Sequence, residues 1–236
     1  MRQKVRKAVL TFTALLFPLL FLFLSPFIII MGASAGILSG SALVFGFLLV
    51  SSLIGSRLFC GWLCPGGAIQ EQLAGANDRL WNGRIKNALK YVIWAVWLSF
   101  IVYLWITHQP LKADFFFMTD VDVHMLLIYF IITTIIYLFT LFTGKRGMCH
   151  SVCWMAPFMV IGEKLADLLH IPRFRLRADK AACISCGQCS KHCPMSLNVL
   201  DMVKSGSMDS PECISCLQCV DGCPKKVIIC GILTKH

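Results

Sequence analysis

The sequence carries little charge, and its first quarter contains a long stretch with none. Charged residues make up 14% of the 236 residues, whereas 57% are hydrophobic. From Ala8 to Ser56 there is no Asp, Glu, Lys or Arg. An ordinary soluble globular protein is therefore excluded. Because one membrane crossing needs about 20 apolar residues, this stretch predicts two crossings, with the turn in the small-residue segment from Gly32 to Gly36.

Two further apolar runs, at about 91–107 and 125–144, predict a third and a fourth transmembrane helix. A net charge of +10 would suggest a nucleic-acid partner in a soluble protein, but the basic residues here flank the apolar segments. Four precede the first helix, and the loop between the second and third holds five: Arg57, Arg79, Arg84, Lys86 and Lys90. The loop between the third and fourth holds a single basic residue, Lys112, beside Asp114, Asp120 and Asp122. This unequal distribution of basic residues between the loops predicts a multi-pass protein of the cytoplasmic membrane, with both termini in the cytoplasm. It also predicts no nucleic-acid partner.

Two kinds of site are missing from the sequence. No histidine falls in the middle of a predicted helix, so a bis-histidine haem inside the bilayer is not expected. No glycine-rich phosphate loop opens a helix, because Gly61, Gly66 and Gly67 surround a cysteine motif instead. The sequence therefore does not indicate nucleotide chemistry.

Charge returns in the last part of the chain. Residues 171–236 contain nine Lys or Arg and five Asp or Glu. We therefore expect two domains, a transmembrane domain in the lipid bilayer over 1–170 and a cytoplasmic domain over 171–236. The alternating arginines of the linker from Ile171 to Arg177 suit contact with anionic lipid headgroups; alternatively, this segment is a solvated linker.

The cytoplasmic domain contains two runs of four cysteines, each ending in Cys-Pro. Their spacing, Cys-x2-Cys-x2-Cys-x3-Cys, is typical of ligands for 4Fe-4S clusters, and in doubled runs the fourth cysteine serves the other cluster. The predicted ligand sets are Cys183, Cys186, Cys189 and Cys223 for one cluster, and Cys213, Cys216, Cys219 and Cys193 for the second. Zinc is the alternative, since paired cysteines also suit a tetrahedral ion.

The membrane part contains a duplication. The segments from Gly55 to Cys64 and from Gly144 to Cys153 share Gly, Arg and two Cys at a constant offset of 89 residues, and each ends a pair of predicted helices. An even number of crossings returns both motifs to the cytoplasmic face. If each motif is helical, the spacing i, i+4 puts its two cysteines on one face. We therefore predict one additional iron-sulfur cluster at the membrane boundary, bound by Cys60, Cys64, Cys149 and Cys153. The alternatives are a zinc site, a redox-active disulfide, or small apolar core residues.

Three other residues accompany these motifs. Arg57 and Arg146 occupy matching positions and would flank the cluster and offset its negative charge; alternatively, they are topology anchors that extend to the interface. His150 follows Cys149 and could donate a hydrogen bond to a cluster sulfur; alternatively, it is an interfacial polar residue.

With these motifs in view, the chain resembles the polytopic membrane ferredoxins of the NapH/MauN type, whose wider relatives include the membrane half of the regulator NosR. Such proteins have four helices, two Cys-x3-Cys motifs and a C-terminal double-cluster ferredoxin, which together cover essentially the whole chain. Cys60 to Pro65 matches the usual Cys-x3-Cys-Pro form, whereas Cys153 is followed by Trp154. The resemblance implies an α-helical membrane protein of duplicated two-helix units with an α+β ferredoxin-like domain. We expect no extracytoplasmic flavin-binding domain of the kind that the larger relatives carry.

The expected reaction is one-electron transfer by a subunit of a membrane oxidoreductase complex. The ferredoxin domain would exchange electrons with a soluble cytoplasmic carrier, and the membrane site with quinone or another membrane subunit. The resemblance implies quinol oxidation or delivery to an exported reductase. Two other hypotheses remain. One is a metal-ion (copper) reductase for oxidase assembly, which should need exposed His, Met or Cys on the translocated side, where the loop offers only His108, Met118, His124 and Met125. The other is a redox sensor or assembly scaffold.

Overall fold

The computed structural model describes residues 1–73, 77, 83–109, 111–119 and 123–234. The helices within these ranges are α1 (Arg2–Leu15), α2 (Phe17–Phe23), α3 (Pro26–Ser34), α4 (Gly40–Gly55), α5 (Leu58–Trp62), α6 (Pro65–Gln72), α7 (Arg84–Thr107), α8 (Val123–Thr143), α9 (Gly147–Ser151), α10 (Met155–Leu168), α11 (Gln188–Lys191), α12 (Val199–Ser205) and α13 (Gln218–Asp221). The strands are β1 (Ile37–Ser39), β2 (Lys112–Asp114), β3 (Arg173–Ala178) and β4 (Ile228–Leu233). Arg79, Asp120 and Asp122, three of the charges used to predict topology, lie outside the described residues.

Three described segments are long and apolar enough to cross a membrane: Phe17–Ser34, Asn87–Thr107 and Leu126–Thr143. They agree with the first, third and fourth crossings predicted from the sequence. The first segment is broken between α2 and α3, where the Ser25 hydroxyl accepts a hydrogen bond from the Ile28 amide and Pro26 begins the next helix. Proline fits there because the first helical residue needs no amide donor.

The segment predicted as the second crossing forms α4, which is 16 residues long. At 1.5 Å per residue it extends about 24 Å, less than the hydrocarbon core of about 30 Å. Of the segment predicted as the turn before it, only Ala35 and Gly36 turn, because α3 continues through Ser34; Gly36 adopts a left-handed φ of 67°. Between this turn and α4, β1 pairs in parallel with β2, with Ile37 opposite Lys112. The sequence did not predict this pairing.

The helices that follow the two cysteine motifs pack against earlier helices of the membrane part. α10 lies along α4, and the approach is so close that a Cβ atom at Gly162 would lie 1.8 Å from the Ser52 hydroxyl. α6 lies mainly against α1. Trp97 and Phe158 add an aromatic contact between α7 and α10, with their ring centroids 6.2 Å apart. The α10 contacts bring the second cysteine motif into the helical core.

The C-terminal part is closed by β3 and β4, which pair in antiparallel register from Arg173 opposite Leu233 to Ala178 opposite Ile228. Between them lie the cysteine loops and the helices α11, α12 and α13. One hydrophobic core joins this part to the membrane part, since it contains Leu48 and Met159 from one and Met195 and Ile214 from the other. The cysteine-rich part is therefore packed directly on the helices.

Candidate metal centres

The cysteine-rich part consists of two halves with the same local backbone. They repeat at an offset of 30 residues, so that Ile184-Ser185 corresponds to Ile214-Ser215. Ser185 and Ser215 both adopt a left-handed conformation, with φ of 56° and 52°. The same holds at the starts of α11 and α13, where the N-cap residues have φ of 72° and 64°. These turns bend each loop around a central space.

Eight cysteines surround two cavities in this part. One cavity is lined by Cys183, Cys186, Cys189 and Cys223. The other is lined by Cys193, Cys213, Cys216 and Cys219. We call these the outer and the inner cysteine set. Each set takes three cysteines from one half and the fourth from the other half, which is the grouping that the sequence predicts.

The donors and the cavities fit a cluster better than a single ion. In the described part of the chain, no three His, Cys, Asp or Glu side chains converge closely enough to hold one metal ion. A cubane cluster does not need ligands that converge on one point, because each of its four irons takes one thiolate and the ligands surround a volume. Burial raises the pKa of the Cys216 thiol to about 11. A thiolate in these surroundings therefore needs a cationic partner such as iron.

The two sets differ in exposure. In the outer set Cys186 is exposed and only Cys189 is buried. In the inner set three cysteines are buried, and Cys213 is half-buried. A group held by the outer set would therefore lie closer to solvent than one held by the inner set.

The membrane-side cysteines, Cys60, Cys64, Cys149 and Cys153, lie where helices are interrupted. Cys60 is in α5, and Cys64 caps α6 in an extended conformation, with φ of −67° and ψ of 115°. Cys149 is in α9, and Cys153 lies in the break before α10. The sequence argument assumed a continuous helical turn through each cysteine pair. The structure shows that this assumption is wrong. At the first motif the cause is Pro65, which disfavours helical geometry in the residue before it.

These four cysteines nevertheless lie in one region. Cys60, Cys64 and Cys149 are exposed by 9% or less. Burial raises the pKa of the Cys153 thiol to about 12, and the neighbouring Cys149 and Cys60 thiols contribute to the rise. The structure therefore brings the two motifs together, although they are 89 residues apart in the sequence.

The surroundings of the membrane-side cysteines are mostly apolar. Cys64, Cys149 and Cys153 line an apolar cavity of about 220 Å³, together with residues of α2, α6 and α8. Cys60 is not in its lining, and its sulfur lies 3.4 Å from the Met159 sulfur. The Gln70 amide donates a hydrogen bond to the Cys149 sulfur at 3.3 Å. No sequence motif pointed to Gln70.

Arg57 and Arg146 are both buried to 1% exposure, so neither extends to the interface. Arg146 donates to the carbonyl oxygen of Cys60 at 2.9 Å and pairs with Glu71 at 2.6 Å. Arg57 donates to the carbonyl oxygen of Pro211 at 2.5 Å and lies 3.8 Å from Glu212. Matching positions in the two repeats thus reach different carboxylates.

Glu71 joins the two repeats to the N-terminus. It pairs with Arg146 and with Arg6, which is itself fully buried. Burial would raise the pKa of the Glu71 carboxyl, but Arg146 and Arg6 hold it below its ordinary value. The sequence could have pointed to Glu71, because Glu71 and Asp78 are the only acidic residues before Asp114.

Glu212 holds the cysteine-rich part against the helices. Its carboxylate lies 2.5 Å from the Lys90 ammonium and 3.5 Å from the His150 ring. The other ring nitrogen of His150 lies 3.0 Å from the carbonyl oxygen of Met195. The suggested bond from His150 to a cluster sulfur is therefore not what the structure shows. The ring instead bridges the two parts of the protein.

The inner set is the one that faces the membrane-side cysteines. Gly61 approaches the inner loop so closely that a Cβ atom there would lie 2.2 Å from the carbonyl oxygen of Ile214. The Trp62 indole donates to the carbonyl oxygen of Ser215 at 3.2 Å. Both loop residues lie between two inner-set cysteines, and Gly61 follows Cys60. The three cysteine groups are therefore arranged in the order outer, inner and membrane-side.

Comparison with known families assigns iron-sulfur domains to both parts. Residues 175–224 match a 4Fe-4S dicluster domain, and residues 37–85 match a 4Fe-4S binding domain. The first range contains all eight cysteines of the outer and inner sets, and the second contains Cys60 and Cys64. The chain thus carries 4Fe-4S ferredoxin domains.

Several characterised and uncharacterised proteins are similar over most of the chain. The putative electron transport protein YccM of Escherichia coli is 26% identical over 69% of this chain and 48% of its own length. The ferredoxin-type protein NapH of Haemophilus influenzae is 29% identical, over 66% of this chain and 53% of its own length. The methylamine utilization ferredoxin-type protein MauN of Methylobacillus flagellatus is 24% identical, over 72% of this chain and 60% of its own length. The matches thus span about half to three fifths of these relatives. No solved structure matches the chain significantly. The apolar helices and these relatives together indicate a membrane protein, and the chain is a homologue of the NapH/MauN-type ferredoxin proteins, as its motifs indicated.

Proposed function

We propose that the protein transfers single electrons between a cytoplasmic carrier and an acceptor or donor in the membrane, as a subunit of a membrane redox complex. The observation that supports this most directly is the order of the three cysteine groups, from the partly exposed outer set through the buried inner set to the membrane-side cysteines. Iron-sulfur clusters, when bound, supply one-electron oxidation and reduction without bond rearrangement. The chain's own residues supply ligation, burial and spacing.

We assign one 4Fe-4S cluster to each of the outer and inner sets. The dicluster domain match over residues 175–224 and the two cysteine-lined cavities support the assignment. On this proposal residues 171–236 form the ferredoxin domain, and residues 1–170 form the membrane domain that positions it. Glu212 and His150 then keep the inner set in place, since they bond Lys90 and Met195 across the boundary.

We propose a third iron-sulfur cluster at the membrane-side cysteines. The match of residues 37–85 to a 4Fe-4S binding domain supports it for Cys60 and Cys64. Cys149 and Cys153 supply two more buried thiols from the second repeat, although Trp154 replaces the usual proline there. Arg146, bonded to the Cys60 backbone, would offset part of the negative charge.

The apolar cavity beside these cysteines is the place we propose for quinone. Phe17, Phe21, Ile132 and Ile136 line it, so it offers an apolar space beside the sulfurs. Gln70 contributes a polar group at the same site. A cavity with apolar walls and few polar groups is the usual form of a site for an apolar ring.

We propose four crossings with both termini in the cytoplasm, counting α4 as the second. The three longer spans support this topology, as does the excess of basic residues in the first half of α1 and from Arg57 to Lys90. Since α4 is short for a full span, local thinning of the bilayer would accompany it.

Anaerobic analysis of the full-length protein tests the proposal. Iron, acid-labile sulfide and reduced-state EPR spectra should indicate three clusters. Cys186→Ser, Cys216→Ser and Cys64→Ser should each remove a different signal and leave the other two. Cys230→Ser, which changes a cysteine outside the three groups, is the matched control and should leave all three. Zinc without labile sulfide would contradict the function. A wild type with only two signals, both of which are kept in Cys64→Ser, would contradict only the third cluster.

A further inference from the structure

The two halves of the cysteine-rich part have equivalent loops in different surroundings. Ile214, in the inner half, is exposed by 1%, and its loop packs on Gly61 and Trp62 of the membrane part. Ile184 holds the equivalent position in the outer half and is exposed by 57%. The same loop is thus docked on a protein surface in one half and open in the other.

A second pair of equivalent segments shows the same contrast. Met195 follows the Cys-Pro of one run, is completely buried, and accepts a hydrogen bond from His150. Its counterpart is Lys225, which is exposed, as is the next residue, Lys226. An apolar contact point in the inner half is therefore replaced by two cations in the outer half.

These outer-half residues form one surface around the outer cysteine set. Ile184 and Lys225 line the same cavity as the outer cysteines. Lys180 is exposed and adjoins them, because the amide of the residue before it donates to the carbonyl oxygen of Val227. Two exposed acidic residues lie near this surface: Asp179 accepts a hydrogen bond from the Ala181 amide, and Asp201 follows Leu200, which lines the same cavity. The surface therefore has an exposed apolar centre with three lysines beside it.

We propose that Lys180, Ile184, Lys225 and Lys226 form the docking surface for an acidic soluble electron-carrier protein. An apolar centre with a charged rim is typical of transient protein interfaces, and the rim selects partners of opposite charge. Cys186 is exposed at the centre, so a docked carrier would come close to the group that the outer set holds. The carrier gives up or accepts one electron there, and no bond or proton is transferred. This inference rests on the electron-transfer function proposed above.

The kinetics of reduction of the purified holoprotein test the surface. The probe is reduced flavodoxin, a small acidic flavoprotein, mixed anaerobically with the holoprotein in detergent while the iron-sulfur absorbance is followed. The rate constant should fall with rising ionic strength, and in the Lys225→Glu, Lys226→Glu double variant it should fall by about tenfold or more. Lys164→Glu reverses the charge of one exposed lysine on α10, half the charge change of the double variant, and should leave the rate nearly unchanged. Ile184→Asp should slow reduction as well.

The controls separate this inference from the proposed function. Dithionite, a small reductant that needs no protein docking surface, should bleach the wild type and every variant to the same extent. A wild type that dithionite cannot bleach would contradict the electron-transfer function itself. If dithionite bleaches it but flavodoxin does not, the docking surface is wrong. Equal flavodoxin rates for the wild type and the double variant, or an equal loss in Lys164→Glu, would also overturn it.

Discussion

Gly61 and Ile214 meet where the membrane part and the cysteine-rich part join, with space for a hydrogen atom but not for a methyl group. A Cβ atom at Gly61 would lie 2.2 Å from the Ile214 carbonyl oxygen and 3.2 Å from the Cys216 amide nitrogen. Both neighbours are backbone atoms, which cannot turn aside as a side chain can. This contact sets the separation between the first cysteine motif and the inner set.

Gly61→Ala should therefore push the inner loop away from the membrane part. We expect a loss of stability of about 1–3 kcal/mol from overpacking. Thermal unfolding in detergent, followed by the loss of iron-sulfur absorbance, measures it. Gly46→Ala is the control, since a Cβ atom there meets nothing within 4 Å. Equal unfolding temperatures for the two variants would show that the contact is looser than these distances indicate.

Glu71→Gln should strongly destabilise the protein. It removes the carboxylate shared by Arg6 and Arg146, both of which are buried, and leaves two charges without their partner. Breaking a buried ion pair in this way costs about 3–5 kcal/mol. Asp221→Asn is the comparison, because its pair with Arg2 is partly exposed and should contribute at most about 1 kcal/mol. Denaturation of both variants in the same detergent measures the difference, and similar losses would contradict the bridging role of Glu71.

Glu163 should make stability depend on pH near neutrality. Burial raises the pKa of its carboxyl to about 7 from an ordinary value of 4.5, although Arg57 and Arg173 oppose the shift. The folded state thus binds the proton more tightly than the unfolded state, so this contribution to stability is present below pH 4.5 and is lost as the pH rises through 7. The unfolding temperature should fall over this window, and less steeply in Glu163→Gln. Asp114→Asn, which changes an exposed carboxylate, should keep the wild-type slope.

The β1–β2 pair should lie on the side of the membrane opposite the cysteine-rich part. Lys112 in β2 is exposed and should react with a membrane-impermeant amine reagent in right-side-out vesicles. Lys204, exposed on α12, should react only in inverted vesicles. Peptide mass spectrometry after labelling identifies the modified lysines. Labelling of both residues from the same side would contradict the proposed topology.

The features that the sequence alone determined are those that depend on neighbouring residues. Runs of apolar residues predicted four crossings, and three of them correspond to described segments of spanning length, because length and composition decide whether a helix can cross the bilayer. The small residues from Gly32 to Gly36 predicted the turn before β1. The spacing of the eight cysteines from Cys183 to Cys223 predicted two sets, since three members of each set come from one short loop, and each predicted set lines one cavity.

Only the tertiary structure decided which cysteine set faces the membrane part and what the buried charges bind. The two halves have nearly the same cysteine pattern, so spacing cannot tell the inner set from the outer one; the contact of Gly61 with Ile214 does. Likewise, Arg57 and Arg146 occupy equivalent positions in the sequence, yet they reach Glu212 and Glu71. Such partners lie on segments 75 to 155 residues away along the chain. Their choice depends on how helices pack in three dimensions, which no local pattern of residues encodes.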